Sequence, residues 1–217
     1  IDNGKSTTMG HFLMDLGIVD QRTIDAHAAE SEKTGKGDTF KYAWVMDNIK
    51  DEREGGITID LAFQKFETPK FNYTLIDAPG HRDFIKNMIT GASEADCAVL
   101  VLSAKPGETD TAIAPGGQAR EHAFLLKTLG VGQIIVAINK MDDSAFSEDA
   151  YKAAVEKGKG LIKSCGYKPD VVPFIPVSGW KGDNLVKKSE NMAWYSGKTL
   201  LEAFDDFVAP EKPTGKP

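Results

Sequence analysis

The stretch Asp2-Asn3-Gly4-Lys5-Ser6-Thr7 opens the chain and leads directly into a segment with helical spacing. Gly4 would let the backbone approach an oxyanion, and the N–H groups at the start of the helix carry partial positive charge. Lys5 would reach phosphate oxygens, while the Ser6 hydroxyl suits Mg²⁺. The stretch therefore predicts a phosphate-binding loop, although Gly-Lys-Ser alone also fits an ordinary N-capped helix.

Helical and strand patterns alternate along the rest of the chain. Apolar spacing predicts helices over Thr7–Leu16, Val19–Glu32, Tyr42–Ile49, Gln118–Leu129, Ala150–Ile162 and Leu200–Phe207. Alternation or continuous apolar runs predict strands over Ile57–Phe66, Tyr73–Ile76, Cys97–Leu102, Ile134–Ile138 and Val172–Val177. Continuous runs are typical of parallel strands buried on both faces, and the two prolines of the last strand favour an edge. The order predicts an α/β fold with a doubly wound, mostly parallel sheet flanked by helices.

Composition narrows the class of protein. The chain has 217 residues, with 26 Lys and Arg against 32 Asp and Glu, which gives a net charge of −6. An acidic chain is a poor candidate for gripping nucleic acid over a broad basic face. Two cysteines suggest a reducing compartment. The longest apolar run, Cys97–Leu102, is far shorter than the roughly 20 residues of a membrane span. We therefore expect a cytoplasmic protein without a membrane partner.

A second motif, Asp77-Ala78-Pro79-Gly80-His81, follows the predicted strand Tyr73–Ile76. Acidic residues at the carboxyl end of a parallel strand lie in the crevice where such folds bind ligands. Asp77 suits Mg²⁺, a Gly80 backbone N–H could face a terminal phosphate, and His81 could orient a water molecule. Taken alone, the motif also fits a Pro-Gly turn with a surface histidine.

A third motif, Asn139-Lys140-Met141-Asp142, ends the apolar strand Ile134–Ile138. The Asp142 carboxylate could accept from both N1–H and the 2-amino group of guanine, a donor pair that adenine lacks. Asn139 would tie the loop to its neighbours, and the Lys140 stem would lie along the base. Ser178-Gly179-Trp180 also follows a strand and could bring a backbone N–H to guanine O6.

These motifs together resemble those of a known family, the translational GTPases, over essentially the whole chain. Asp77–Ala92 resembles the elongation-factor branch of that family. The motifs that carry the resemblance are, in order, Gly4-Lys5-Ser6, Gly56-Ile57-Thr58, Asp77–His81, Asn139–Asp142 and Ser178–Trp180. The resemblance implies a P-loop NTPase G domain over residues 1–208, with the first strand truncated. It also implies that residues 209–217 form a linker to missing β-barrel domains.

The resemblance implies a role for each matching residue. GTP or GDP would be bound by Asp2, Asn3, Gly4, Lys5, Ser6, Thr7, Asp77, Ala78, Pro79, Gly80, His81, Asn139, Lys140, Met141, Asp142, Ser178, Gly179 and Trp180. Mg²⁺ would be held by Ser6, Thr58 and Asp77, with Thr58 joining only when GTP is bound. His81 would position the attacking water, shielded by the apolar pair Ile1 and Ile57. His11 and His122 are expected to be structural.

The function implied by the resemblance is that of a GTP-hydrolysing translation elongation factor, which delivers aminoacyl-tRNA to the ribosomal A site. Its partners would be aminoacyl-tRNA and the ribosome, mainly through the missing domains, and a guanine-nucleotide exchange factor. The first alternative is a related termination or ribosome-rescue GTPase. An ATP-dependent P-loop enzyme and a non-catalytic binding protein are two further alternatives; Asn139–Asp142 argues against the first, and the intact Lys5, Ser6, Asp77 and His81 against the second.

Overall fold

Helices and strands alternate in the computed structural model of the chain, which describes residues 3–33, 35, 38–47 and 58–210. The strands are β1 (Ala62–Glu67), β2 (Asn72–Asp77), β3 (Cys97–Ser103), β4 (Gln133–Asn139) and β5 (Phe174–Pro176). The helices are α1 (Lys5–Asp15), α2 (Gln21–Lys33), α3 (Ile85–Ser93), α4 (Glu108–Ile113), α5 (Gln118–Thr128), α6 (Glu148–Ser164) and α7 (Leu200–Phe204). Short 3-10 turns occupy Asp38–Phe40, Ala43–Val45, Arg82–Phe84 and Pro169–Val171. Within the described ranges, none of the helices is long and apolar enough to cross a bilayer.

The strands form two sheets. β3, β4 and β5 pair in parallel in that order, and Ser103 at the end of β3 lies opposite Asn139 at the end of β4. β5 is the outer strand of this sheet, as its prolines predicted. β1 and β2 form an antiparallel pair in which Ala62 lies opposite Asp77. The parallel sheet brings its strand ends to one edge, where Asn139 and the loop after β5 meet.

The parallel sheet is buried on both faces, as its continuous apolar runs predicted. Leu102, Val136 and Ile138 belong to a core shared with α3, α5 and α6. Their neighbours Val101 and Ala137 point to the opposite core, which contains α1 and α7. Because side chains alternate along a strand, each apolar run serves both cores. The predicted doubly wound α/β arrangement is confirmed.

A large cavity of about 2040 Å³ lies between the two sheets and extends to the phosphate-binding loop. Residues of β2 and β3 line it, at the strand edges that face away from β1 and β4. Asn3 spans one end of this gap, since its Nδ2 donates to the carbonyl oxygen of Val101 over 2.9 Å. Asp77 at the end of β2 and Ser103 at the end of β3 therefore reach the same end of the molecule without being paired in one sheet.

Several element predictions need correction. Of the predicted helix Tyr42–Ile49, the described part forms only the 3-10 turn Ala43–Val45. Ala43, Trp44, Val45 and Met46 are all buried in succession, so the apolar run marks a buried turn rather than one face of a helix. β1 begins at Ala62, so the described residues 58–61 of the predicted strand Ile57–Phe66 are not part of it. Helices α3 and α4 were not predicted.

Candidate nucleotide-binding site

The phosphate-binding loop has the backbone shape that an anion site requires. Gly4 lies in the left-handed region, with φ 77° and ψ 31°, and α1 begins at the next residue. A Cβ at Gly4 would lie 2.5 Å from Asn139 Nδ2, so a side chain here would collide with the neighbouring loop. The first turn of α1 contains no acidic side chain. The N–H groups at its start can therefore attract an anion without competition from a carboxylate on the same turn.

Four oxygens from three side chains, one carboxylate and two hydroxyls, converge beside this loop. Asp77, the last residue of β2, is buried, and its Oδ2 accepts from Ser6 Oγ over 2.9 Å. Ser6 Oγ also lies 3.1 Å from Thr58 Oγ1. Lys5 Nζ contacts all three groups, at 2.5 Å from Asp77 Oδ1, 3.2 Å from Thr58 Oγ1 and 3.0 Å from Ser6 Oγ.

The oxygen cluster fits a magnesium ion by the chemistry of its donors. Mg²⁺ prefers hard oxygen ligands and usually takes one or two carboxylates together with phosphate and water. The cluster of Ser6, Thr58 and Asp77 supplies one carboxylate and two hydroxyls, and it already binds a cation, the Lys5 ammonium. The residues assigned to the metal by sequence thus lie together around a positive charge.

His81 lies at the mouth of the same cavity as Lys5, after the turn Ala78-Pro79-Gly80. Its Nδ1 accepts from the backbone N–H of Asp83 over 3.2 Å, and its ring lies against Phe84 with centroids 5.9 Å apart. The carboxylate oxygen Oδ2 of Asp83 also lies 3.4 Å from Nδ1, so Asp83 contacts this ring nitrogen through both its backbone and its side chain.

Three residues assigned by sequence lie outside the described part of the chain. They are Ile1, Asp2 and Ile57.

Asn139 joins the phosphate-binding loop to the Ser178–Trp180 loop. Its Nδ2 donates to the carbonyl oxygen of Asn3 over 2.7 Å, and its Oδ1 accepts from the Gly179 N–H over 2.8 Å. Both ends of one buried amide are thus committed to loops that are distant in sequence. One side chain at the end of β4 therefore links two of the predicted loops, the phosphate-binding loop and the Ser178–Trp180 loop.

Asp142 lies beside the same loop. Its Oδ1 accepts from Ser178 Oγ over 2.6 Å, and Ser178 Oγ in turn accepts from the Lys181 N–H over 3.0 Å. Met141, the residue before Asp142, is fully buried in the core, so its side chain anchors this loop to the core. Lys140 has a φ of 62°, in the left-handed region, directly after the last residue of β4. The strand end thus presents Asp142 and Lys140 while Met141 holds the backbone in place.

Sequence reasoning missed a partner of Lys140. Glu108 of α4 accepts from Lys140 Nζ over 2.8 Å. Burial alone would raise the pKa of Glu108, but hydrogen bonds from Lys140 and Ser103 outweigh it and hold that pKa below its usual value. Glu108 is therefore charged at neutral pH and paired with the lysine. Glu108 and Lys140 are 32 positions apart, so no local sequence pattern could have predicted this ion pair.

His122 of α5 also lines the cavity. Burial lowers the pKa of His122 from 6.5 to about 4, and the positive charge of Lys5 contributes to the shift. The ring is therefore neutral at pH 7. This agrees with its expected structural role and gives no sign of proton transfer.

Comparison with protein families and solved structures supplies an independent test. The model of the elongation factor Tu GTP binding domain matches residues 1–210. The chain is 84% identical over its full length to elongation factor 1-alpha of Cenarchaeum symbiosum (strain A) and covers 50% of that protein. It is 57% identical, over 97% of its length, to elongation factor 1-alpha of Ignicoccus hospitalis, of which it covers 48%. The chain spans about half the length of the curated relatives it matches.

Solved structures agree with this grouping. A crystal structure of Sup35 complexed with GDP matches with a TM-score of 0.67 and 32% identity, over 94% of this chain and 42% of that one. The GTPase-like domain of S. cerevisiae Ski7, bound to GTP, matches with a TM-score of 0.74 and 25% identity, over 96% of this chain and 49% of that one. The family model extends over nearly every residue of the chain. The chain accordingly belongs to the elongation factor Tu GTP-binding domain family.

Proposed function

We propose that this chain is the guanine-nucleotide switch of an elongation factor that hydrolyses GTP and delivers aminoacyl-tRNA to the ribosomal A site in the cytoplasm. The observation that carries the proposal is the meeting of the predicted loops at one end of the fold. Asn139 contacts both the Gly4 loop and Gly179, and Asp77 of the second sheet contacts Lys5 and Ser6 beside Gly4. Relatives named elongation factor 1-alpha, at 84% and 57% identity, support elongation over termination or rescue.

The phosphates would bind at the start of α1. In the proposed complex the N–H groups after Gly4 and the ammonium of Lys5 hold the β- and γ-phosphates. To bind the phosphates, the Lys5 ammonium would have to give up its contact with the Asp77 carboxylate. Mg²⁺ would take its place among Ser6, Thr58 and Asp77, where it would neutralise phosphate charge.

The base would bind between Asn139–Asp142 and Ser178–Trp180. Asp142 Oδ1 is held by Ser178 Oγ, which fixes the plane of the carboxylate against the loop. A carboxylate in a fixed plane can accept two parallel N–H donors, as guanine N1 and its 2-amino group offer. The Lys140 stem, held at its far end by Glu108, would cover one face of the base.

Chemistry on the γ-phosphate requires positioning more than a strong base. Nε2–H of His81 would hydrogen-bond a water oxygen and hold that water in line with the γ-phosphate. Turnover would depend on two partners outside this chain, the ribosome as activator and an exchange factor for release of GDP. Aminoacyl-tRNA would bind mainly to the β-barrel domains that the complete elongation factor would have in addition to this one.

Replacement of one carboxylate oxygen of Asp142 by an amino group tests the proposed guanine recognition. In Asp142→Asn the side chain loses one acceptor and gains a donor, so GDP affinity should fall by roughly 10²-fold or more while xanthosine diphosphate, with its 2-oxo group, gains affinity. The measurement is competition of both nucleotides and ADP against a fluorescent GDP on the complete protein. The exposed neighbour Asp143 provides the matched control, Asp143→Asn, which should leave the order of affinities unchanged. Equal binding of ADP and GDP by the unmodified protein would refute the guanine assignment.

A further inference from the structure

The peptide group between Gly179 and Trp180 is held from one side by a histidine of α1. His11 is buried, and its Nδ1 lies 2.8 Å from the carbonyl oxygen of Gly179. A carbonyl oxygen can only accept, so Nδ1 carries the proton and donates it to the loop. With the Gly179 N–H donating to Asn139, both polar groups of Gly179 have fixed partners.

The ring of His11 is itself held in place. Tyr42 stacks on it with centroids 4.0 Å apart and an interplanar angle of 7°. On the same helix, the carboxylate of Asp15 lies 3.6 Å from Nε2. A Cβ at Gly182 would lie 2.9 Å from Nε2, so the loop after Trp180 closes tightly over the ring edge. The imidazole therefore has little freedom to turn away from Gly179.

The loop also packs against α1 without space for a side chain. A Cβ on Gly179 would collide with the side chain and backbone of Thr8. On the outer side, Lys41 Nζ lies 5.2 Å from the ring centroid of Tyr42 and 5.1 Å from that of Trp180. The segment Lys41-Tyr42 thus contacts both His11, through the stacked Tyr42 ring, and Trp180, through Lys41.

Fixing the Gly179 carbonyl fixes the next amide as well. The carbonyl of Gly179 and the N–H of Trp180 belong to one planar trans peptide, so they point in opposite directions. With the oxygen directed at α1, the Trp180 N–H must point away from α1. Among the described residues, no group accepts a hydrogen bond from that N–H. The amide is thus oriented and available.

We infer that His11 is a positioning residue for base recognition: by holding the Gly179 carbonyl it aims the Trp180 N–H at the 6-oxo group of guanine, with Tyr42 as the support of the ring. This inference rests on the proposed guanine-nucleotide function. His11 itself touches neither base nor phosphate. Its effect is confined to the acceptor at position 6, because Asp142 would recognise the N1 and 2-amino edge independently.

The test compares two nucleotides that differ at position 6 alone. 6-Thioguanosine diphosphate keeps N1–H and the 2-amino group but offers sulfur, a weak acceptor, in place of oxygen. The complete protein should prefer GDP over this analogue by about tenfold, the value of one well-formed hydrogen bond. In His11→Phe, which keeps a stacking ring and removes the donor, the preference should fall below about threefold. A purely structural role would weaken both nucleotides by the same factor and leave the preference unchanged, which would overturn the inference.

Three further variants make the test specific. The side-chain amide of His11→Asn can reach the position of Nδ1, so this variant should retain most of the preference for GDP. His27→Phe, the same substitution on α2, is the matched control and should leave both affinities unaltered. Should His11→Phe not fold, as judged by thermal unfolding, Tyr42→Leu carries the test, because loss of the stacked ring should lower the preference by the same mechanism. An unchanged preference in Tyr42→Leu would then overturn the inference. Failure of the unmodified protein to bind GDP at all would instead refute the proposed function.

Discussion

Thr58 shows how one hydroxyl can connect a loop to the phosphates. Thr58 is buried, and its Oγ1 lies 3.1 Å from Ser6 Oγ and 3.2 Å from Lys5 Nζ, far from both residues in sequence. The contact places the segment that follows residues 48–57 directly against the phosphate-binding loop. A ligand that keeps Thr58 in this position would also keep that segment in place.

Removal of the Thr58 hydroxyl should therefore distinguish GTP from GDP. In Thr58→Ala we expect affinity for a GTP analogue to fall roughly tenfold and affinity for GDP to change by less than about threefold, because a switch residue contacts the metal only in the triphosphate state. The measurement is nucleotide binding over a magnesium titration. Thr58→Ser retains the hydroxyl and serves as the control. Equal losses for both nucleotides would contradict the assignment of Thr58 to the metal.

At the scale of elements, α4 supports the base-binding loop from a distance. Glu108 at its start pairs with Lys140, and Asp110 two residues later pairs with Lys157 of α6 at 2.7 Å. The short helix is thus fastened both to the site and to the body of the domain. Lys140 depends on this support because its stem must lie flat to cover a base.

Neutralising Glu108 should loosen that cover. In Glu108→Gln we expect GDP to dissociate about three- to fivefold faster, a modest change because the ion pair is partly exposed. The difference should shrink at 1 M salt, where such pairs are screened. Stopped-flow release of fluorescent GDP measures the rate. The matched change on the same helix, Asp110→Asn, should not alter it, and an effect as large as that of Glu108→Gln would point to general loosening of α4.

His122 on α5 gives the domain a predicted sensitivity to acid. Its pKa is lowered from 6.5 to about 4 by burial, so between these values the unfolded chain binds a proton that the folded chain does not. The free energy of unfolding should accordingly decrease as pH falls from about 6.5 to about 4, by less than about 1.4 kcal/mol per pH unit. Urea unfolding across this range should show a shallower decrease in His122→Gln. The same measurement on His27→Gln controls for loss of a histidine, and identical slopes for His122→Gln and the unmodified protein would contradict the prediction.

Sequence predicted the elements and site residues that leave a local pattern. The continuous apolar run before Asn139 predicted a buried strand, and the proline-containing run before Ser178 predicted an edge strand. Parallel strands collect their carboxyl ends at one edge of a sheet, which is where both residues lie. Contacts between distant positions left no such pattern. Glu108 lies 32 residues from Lys140, and His11 lies 168 residues from Gly179. His11 among apolar neighbours predicted only a structural histidine, because periodicity shows that a face is buried and not what its polar atom touches.

At the scale of the whole molecule, the site is assembled from two separate sheets. Asp77 comes from the antiparallel pair β1–β2, whereas Asn139 and Ser178 follow strands of the parallel sheet. Between the sheets lies the cavity, and Lys5 and Asn3 at the start of α1 contact both sides, through Asp77 and Val101. A nucleotide at α1 would therefore touch loops carried by both sheets. Groups from both sides of the cavity would therefore surround the γ-phosphate.

His81 lines the same cavity and is the residue through which the ribosome would control hydrolysis. Its imidazole is held by the Asp83 N–H and by the Phe84 ring, and the Asp83 carboxylate lies 3.4 Å from the same Nδ1. Because phosphoryl transfer requires positioning of the water more than a strong base, we expect His81 to act as a positioning group for the attacking water. The intrinsic rate should then be low, and the ribosome should accelerate hydrolysis by favouring the arrangement in which His81 faces the γ-phosphate.

Replacement of His81 should separate binding from hydrolysis. His81→Ala should bind GTP and GDP within a few-fold of the unmodified protein, because no phosphate-holding group is lost. Ribosome-stimulated hydrolysis should fall by roughly 10³–10⁵-fold, the scale known for other supplied catalytic groups. Single-turnover hydrolysis on programmed ribosomes with the complete protein measures the effect, and His27→Ala is the control for loss of a histidine elsewhere. Near-normal stimulated hydrolysis by His81→Ala would remove His81 from the mechanism, and equal losses with and without ribosomes would place its role in the intrinsic reaction instead of in activation.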